Sequence, residues 1–417
     1  MPDGDFSRGT ERRAGTPKRR GRAGCGSCAL PFVIGAFLLI FFGGSYLGSP
    51  EADVEVSPYA AVGEIDGEPV VIAAYGYSGG RGMFQLLLEP MFQKRLAALD
   101  PHSGQERWDI RLNEELVSDM RVLAAGGGMV YVATDEGLYI RDLADGSSVA
   151  EPDQIAGLEG YVADQGNYDY DPELQLIVTM DEAGGLWTIP LGESSATPAG
   201  EDVTERWVHA LAGSTMVDFS SPPTSRSAQV SPTALLTSAE TATGAQTSSL
   251  RLSVGDQETP LGEETFFDPV IVLDSTRSIA PISADDLQDL CFFDDLYCEF
   301  TDGSYELAEG VSRADLPVMP SSTAYAAGSR NGFVILQHRG SSSGSEHLVS
   351  TVDLATGAII DTVEIGGSGV GAGAGGGDHI VAPVDDLGGA GSVLIIDADG
   401  TISEIPVGEK GFFGTVL

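Results

Sequence analysis

Lysine is nearly missing from this chain. Of its 22 basic residues only Lys18, Lys94 and Lys410 are lysines, against 62 acidic residues and a formal net charge of −40. A surface this acidic repels nucleic acid and anionic lipid, and it favours cations, basic partners or plain solubility. Histidine is also sparse. His102, His209, His338, His347 and His379 form no His-x-x-His or His-Glu-x-x-His pattern, so no zinc site is signalled. There is no Cys-x-x-Cys-His for a c-type haem and no Gly-x-Ser-x-Gly elbow in a strand–helix context. Gly126-Gly127-Gly128 leads into an expected strand, Met129–Thr134, rather than a helix, which removes a phosphate-binding loop. Helical periodicity is missing outside one N-terminal segment.

That segment is the single long apolar run. Residues 1–24 carry seven basic side chains (Arg8, Arg12, Arg13, Lys18, Arg19, Arg20 and Arg22) against three acids, and an uncharged stretch follows from Cys28 to Leu47. About twenty helical residues match the thickness of a bilayer core. The basic flank before and the acidic flank after, from Glu51, place the N-terminus in the cytoplasm. The sequence thus divides into a basic cytoplasmic tail (1–24), a transmembrane signal-anchor helix (25–48) whose residues 28–47 contact the lipid bilayer, a linker (49–61) and an extracytoplasmic domain (62–417). A cleaved signal peptide is the rival reading, but no clean Ala-x-Ala site follows the run. Cys25 and Cys28 have Cys-x-x-Cys spacing at the cytoplasmic mouth, with no further His or Cys in the tail to complete a metal site. Both precede the apolar core, whereas a lipid-modified cysteine would follow it.

The remainder has the composition of one all-β domain. Short runs rich in Val, Ile, Thr and Tyr are punctuated by Gly, Asp, Asn and Ser every eight to twelve residues or so. Leu99-Asp100-Pro101-His102-Ser103-Gly104-Gln105-Glu106-Arg107-Trp108 spells strand, tight turn, strand. Asp100 can accept N–H groups across the turn, Gly104 can take a positive φ, and Trp108 supplies a large anchor. This stretch resembles the repeat of the pyrroloquinoline-quinone-like (PQQ-like) β-propeller family, in which Leu-Asp-x-x-(Thr/Ser)-Gly-x-x-x-Trp closes each blade. Partial copies recur at Asp142 and Gly146, at Asp353 and Gly357, and at Asp397 and Gly400. Weaker candidates are Leu186–Gly192, Leu250–Asp256 and Tyr297–Ser304. A period of roughly 40–50 residues with four strands per unit is a propeller signature. The expected fold is a β-propeller of about seven four-stranded blades, with eight as the alternative.

Ser220–Ser249 and Gly366–Gly377 suggest a long surface loop and a flexible connection before the last blade, and Ala284–Asp295 an acidic insertion. Cys291 and Cys298 flank Phe292–Tyr297; a two-residue turn at Asp294-Asp295 places them opposite one another, as a disulfide outside the membrane. Asp164, Asn167, Asp169 and Asp171, followed by Glu173, form an alternating acidic loop that is a weak calcium candidate without EF-hand spacing; an ion-free acidic turn is the simpler reading. Trp108, Trp187 and Trp207 are expected as inter-blade anchors.

The resemblance implies a non-catalytic protein-binding or scaffold module for an unidentified envelope or membrane protein, at the bacterial plasma membrane. A quinoprotein dehydrogenase using PQQ and calcium is the alternative, but the adjacent cysteine pair and the repeated tryptophan mark of those enzymes are missing here. A third reading is a sensor, which needs a partner chain because its cytoplasmic part is only about 25 residues. No catalytic residue, cofactor or nucleic-acid partner is assigned.

Overall fold

The structure is a computed structural model. It describes residues 29–48, 53–79, 90–114, 120–158, 167–180, 185–204, 224–276, 298–307 and 324–408, the last three stretches apart from short interruptions, with Leu87 and Trp207 in addition.

Helix α1 (Ala29–Gly48) carries no charged residue. Its large side chains are exposed: Phe32 80%, Leu39 76% and Leu47 81%. None of the core clusters among the described residues contains an α1 residue. Among the described residues no helix is long and apolar enough to cross a membrane. For α1 that description omits the side chains of residues 29–31 and 33, while its backbone runs for 20 residues.

The rest is all-β and pairs antiparallel strand by strand. The first unit is β1 (Asp53–Ile65), β2 (Glu68–Ser78), β3 (Phe92–Leu99) and β4 (Glu106–Asn113). The second is β5 (Met120–Gly126), β6 (Met129–Thr134), β7 (Gly137–Asp142) and β8 (Ser148–Ala150). The third is β9 (Tyr168–Asp171), β10 (Leu176–Met180), β11 (Leu186–Pro190) and β12 (Thr197–Pro198). After the short β13 (Thr224–Ser225), the fourth is β14 (Ser227–Ser231), β15 (Ala234–Glu240), β16 (Thr247–Val254) and the first part of β17 (Gln257–Val272). At Asp268 (φ 48°) β17 changes partner: Phe267 still opposes Thr247, whereas Val270 and Ile271 oppose Gln337 and Leu336. A separate hairpin, β18 (Cys298–Thr301) with β19 (Ser304–Leu307), comes next in the chain. The end of β17 joins β20 (Phe333–Arg339), β21 (His347–Asp353) and β22 (Ile359–Ile365) as the fifth unit. The sixth has a split first strand, β23 (Gly369–Val370) and β24 (Ala374–Gly376), then β25 (His379–Asp385), β26 (Ser392–Asp397) and β27 (Ile402–Pro406).

The apolar runs in the sequence are middle strands covered on both faces, which removes the polar half of the alternation. Val70–Tyr75, Val130–Ala133 and Phe333–Leu336 are each at most 2% exposed. The fourth strands are mostly exposed or half-buried instead; Ile359–Ile365 buries only Ile365. Clusters of buried side chains form between neighbours: unit one with two, two with three, four with five, and five with six. One further cluster joins Val54, Ala73 and Leu99 of the first unit to Val381, Ile395 and Ile405 of the sixth. The first unit therefore meets the last of the described units, and β1 touches β5 on one side and β24 and β25 on the other.

Several expectations are corrected. The β-domain begins at Asp53 rather than at residue 62, because β1 already pairs with β2 from Asp53↔Ser78. Six four-stranded units are present among the described residues, against the seven or eight expected of the whole chain. Tyr297–Ser304 does not open a blade, since β17 pairs directly with β20 and the hairpin is an excursion between them. Ser220–Ser249 contributes β13, β14, β15 and the start of β16. Gly366–Gly377 holds the first strand of the sixth unit, where a Cβ at Gly371 would collide with the Pro58 carbonyl and one at Gly376 with Val62. Small residues there reflect close approach of backbones.

Candidate functional site

The repeated turns are where one unit meets the next. In the β3–β4 turn, Asp100 Oδ1 accepts the N–H groups of His102 (3.0 Å) and Ser103 (2.8 Å) and the Ser103 hydroxyl (2.9 Å). Asp353 Oδ1 does the same for Ala355 (3.0 Å), Thr356 (2.7 Å) and the Thr356 hydroxyl (2.7 Å). Asp142 accepts from Ala144 (2.8 Å). In the last turn Asp397 uses its backbone, its carbonyl taking Gly400 N–H at 2.9 Å, while Asp399 caps Thr401 at 3.0 Å. These hydrogen bonds hold the Asp100, Asp353 and Asp399 carboxyls below the usual range.

Each turn glycine has a positive φ and lies against the fourth strand of the preceding unit. Gly104 (φ 68°) faces Ile405, Gly146 (φ 73°) faces Ile110 and Trp108, Gly357 (φ 72°) faces Leu261 and Gly262, and Gly400 (φ 89°) faces Ile360. Trp108 completes one seam by donating Nε1–H to the Leu143 carbonyl at 2.9 Å. Gly104 against Ile405 is the seam that closes the ring. On the same seam the His102 and His379 rings meet edge to face at 4.9 Å, and His379 Nδ1 lies 2.9 Å from Asp397 Oδ1.

Near the axis, β1 bulges at Ser57-Pro58-Tyr59, where its register shifts between Val56 and Ala60. Proline has no N–H for a ladder, so a bulge is its natural place in a strand. Ser57 Oγ donates to the Met120 carbonyl (2.6 Å), and the Pro58 carbonyl accepts Ala372 N–H (2.9 Å), so the bulge links units six, one and two. Arg121, 5% exposed, lies over the Tyr59 ring at 5.6 Å, donates to the Tyr168 carbonyl and sits 3.5 Å from Asp169. Burial pushes the Asp169 carboxyl up, against the pull of Arg121 and of Tyr170 N–H. Fully buried Asp171 accepts Glu173 and Leu174 N–H (3.0 Å each) on Oδ1 and Trp207 Nε1–H (2.8 Å) on Oδ2.

Asp169 and Asp171 are engaged as just described, Asp164 lies outside the described residues, and no group of three candidate ligands is found among the described ones. Cys25, Cys28 and Cys291 also lie outside them; Cys298 opposes Leu307 in β18–β19, and its side chain is not described.

Inspection of the sequence missed a buried network in the first unit. Arg95 Nε lies 2.7 Å from Asp109 Oδ1 and 3.1 Å from the Tyr75 hydroxyl, Arg95 Nη1 donates to Gln93 Oε1 (2.6 Å), and the Tyr75 hydroxyl donates to Asp109. Burial, and then Asp109, push the Tyr75 hydroxyl far above its ordinary value, so it stays protonated. The available signal was Arg95 and Asp109 on neighbouring strands flanking the first turn. An open polar hollow of about 480 Å³ lies beside that turn, lined by Glu68, Asp100, Gln105, Glu106 and Arg107. Arg107 is already held by Glu68 (2.5 Å) and Asp100 (3.6 Å).

Residues 90–165 match the family model described as outer membrane protein assembly factor BamB, a PQQ-type repeat model. No curated protein matches. Among solved structures, the chain aligns with BamB from Moraxella catarrhalis at 16% identity, covering 83% of this chain and 73% of that one, with a TM-score of 0.19. It aligns with puromycin hydrolase at 12% identity, 84% and 53% coverage and a TM-score of 0.31. It aligns with hydrazine synthase from Kuenenia stuttgartiensis at 9% identity, 67% and 63% coverage and a TM-score of 0.22. The chain spans less than two thirds of the last two, and overlays this loose carry no functional argument. Similarity to the PQQ-like β-propeller repeat family rests on residues 90–165, which hold the Asp100–Gly104–Trp108 turn and its first recurrence at Asp142 and Gly146.

Proposed function

We propose that this chain is a membrane-tethered, non-catalytic β-propeller that binds a protein partner at the outer face of a bacterial plasma membrane. The observation that carries this reading is the closed ring itself. Its buried and half-buried charged groups (Asp109 with Arg95, Asp169 with Arg121, Glu151 with Arg141, and Asp171 on the Trp207 indole) are engaged in joining strands and units. That leaves the exposed rims to make contacts, as expected where loops gather on a rigid scaffold. The match to a family described as an outer membrane assembly factor favours envelope assembly as the setting. The tether is supported by the uncharged α1, by the basic residues before it and by the acidic ones after it.

Alkaline extraction of membranes from cells making the full chain tests the tether, and photo-crosslinking from rim positions tests the partner. The expected result is a chain that stays with the membrane and a recurrent crosslink to one envelope protein from one rim. A chain released by alkali would contradict the tether. Thermal unfolding of the full chain in detergent is expected to be unmoved by calcium or by calcium with PQQ. An upward shift with the quinone would overturn the non-catalytic reading.

A further inference from the structure

The five histidines of this chain form no local metal-binding pattern, yet the fold brings two of them together. His102 lies in the β3–β4 turn of the first unit, and His379 opens β25 of the sixth. Their ring centroids are 4.9 Å apart and their planes cross at 77°. The two residues are far apart in sequence and meet because the first unit packs against the sixth.

Each ring has a nitrogen to spare. His379 Nδ1 lies 2.9 Å from Asp397 Oδ1, on the residue that opposes His379 across β25 and β26. A carboxylate only accepts, so it holds the proton on Nδ1 and leaves Nε2 with a free lone pair. Metal-bound imidazoles are usually backed by a carboxylate or carbonyl in this way. Among the described residues neither His379 Nε2 nor the His102 ring makes a hydrogen bond. His379 is 7% exposed and fixed by Asp397, whereas His102 is exposed and its ring can turn. Two imidazoles on one zinc ion, with Zn–N bonds of about 2.0–2.1 Å and a near-tetrahedral angle, hold their ring centroids about 5 Å apart. The observed spacing already meets that requirement.

We propose that His102 and His379 form a two-histidine site for a divalent transition metal ion such as zinc, which clips the first unit to the sixth. No third His, Cys, Asp or Glu completes a three-residue site among the described residues, so water takes the remaining positions. Imidazole ligands select zinc, copper or nickel over calcium and magnesium. The net charge of −40 concentrates cations at the surface of the chain. Because the two rings meet only in the folded chain, bound metal stabilises the packed seam. The site is independent of the tether and of any protein partner.

The test uses the untagged full chain in detergent, with its four cysteines replaced by serine so that thiols do not compete for the ion. Zinc uptake is measured by titration calorimetry, and thermal unfolding is followed with zinc and with a chelator. The expected result is one zinc ion per chain and a higher unfolding temperature with zinc than with chelator. His102→Ala should weaken uptake more than about tenfold and abolish the thermal shift, since losing even an outer partner of a metal site costs that much. His379→Gln should do the same, whereas His347→Ala, on β21 of the fifth unit, should leave both unchanged. Should His379→Gln misfold, His102→Ala alone decides, because the His102 ring is exposed and Asp100 holds only its backbone N–H. A parent chain that takes up no zinc would overturn the site. So would uptake that is unchanged in His102→Ala, which would assign the ion to other ligands.

Discussion

The Asp109 side chain is 1% exposed, and it is held by the Arg95 guanidinium and the Tyr75 hydroxyl. Removing one member of a buried pair strands the other, which is the expensive way to break it. Asp109→Asn is expected to lower stability by about 3 kcal/mol. Tyr75→Phe, which keeps the ring against Gly408, should cost about 1 kcal/mol. Urea unfolding of both variants checks this, and equal losses would contradict the ordering. The turn aspartates act through pH. Hydrogen bonds hold Asp100 and Asp353 below their unfolded value of about 3.9, so their contribution is complete above that value and lost as pH falls through the folded one. Asp100→Asn with Asp353→Asn should therefore lose less stability than the parent between about pH 5 and pH 2, as read by thermal unfolding. The turn residues were legible in the sequence because their role is local: Asp100, Ser103 and Gly104 act within five positions of one another. Arg121 was not, because its partners Tyr59, Tyr168 and Asp169 lie on the neighbouring first and third units, far from it in sequence.

At the scale of the element, turn glycines do two things that substitution can separate. Gly128 (φ 81°) has open space where a Cβ would go, whereas at Gly146 (φ 73°) a Cβ would sit 3.0 Å from the Trp108 ring and 2.9 Å from Ile110. Gly128→Ala is expected to cost about 1–2 kcal/mol from backbone conformation alone. Gly146→Ala should cost that and about 1–3 kcal/mol more from crowding at the seam. Equal costs in chemical denaturation would mean that Gly146 serves only its own turn. Middle strands such as Met129–Thr134 were readable because burial on both faces leaves an apolar run. Gly371 and Gly376 were not, since they answer to Pro58 and Val62 on the adjoining first unit rather than to any local preference. Tyr297–Ser304 has the composition of a blade turn, but the β17–β20 pairing makes its surroundings an insertion.

For the whole molecule, the account rests on closure. The first unit meets the sixth through the cluster of Val54, Leu99, Val381 and Ile405, through Gly104 against Ile405, and through the Pro58–Ala372 hydrogen bond. That contact covers a face of each end unit. The most direct measurement is the distance between spin labels at Ser103 in the first unit and Glu404 in the sixth, in the full chain with its four cysteines replaced by serine. Both positions are exposed and flank the Gly104–Ile405 contact. The closed ring predicts a single narrow population at the shortest distances the method resolves. Six sheets stacked in an open row at about 10 Å spacing would put the labels roughly 50 Å apart, and a population there would contradict the ring.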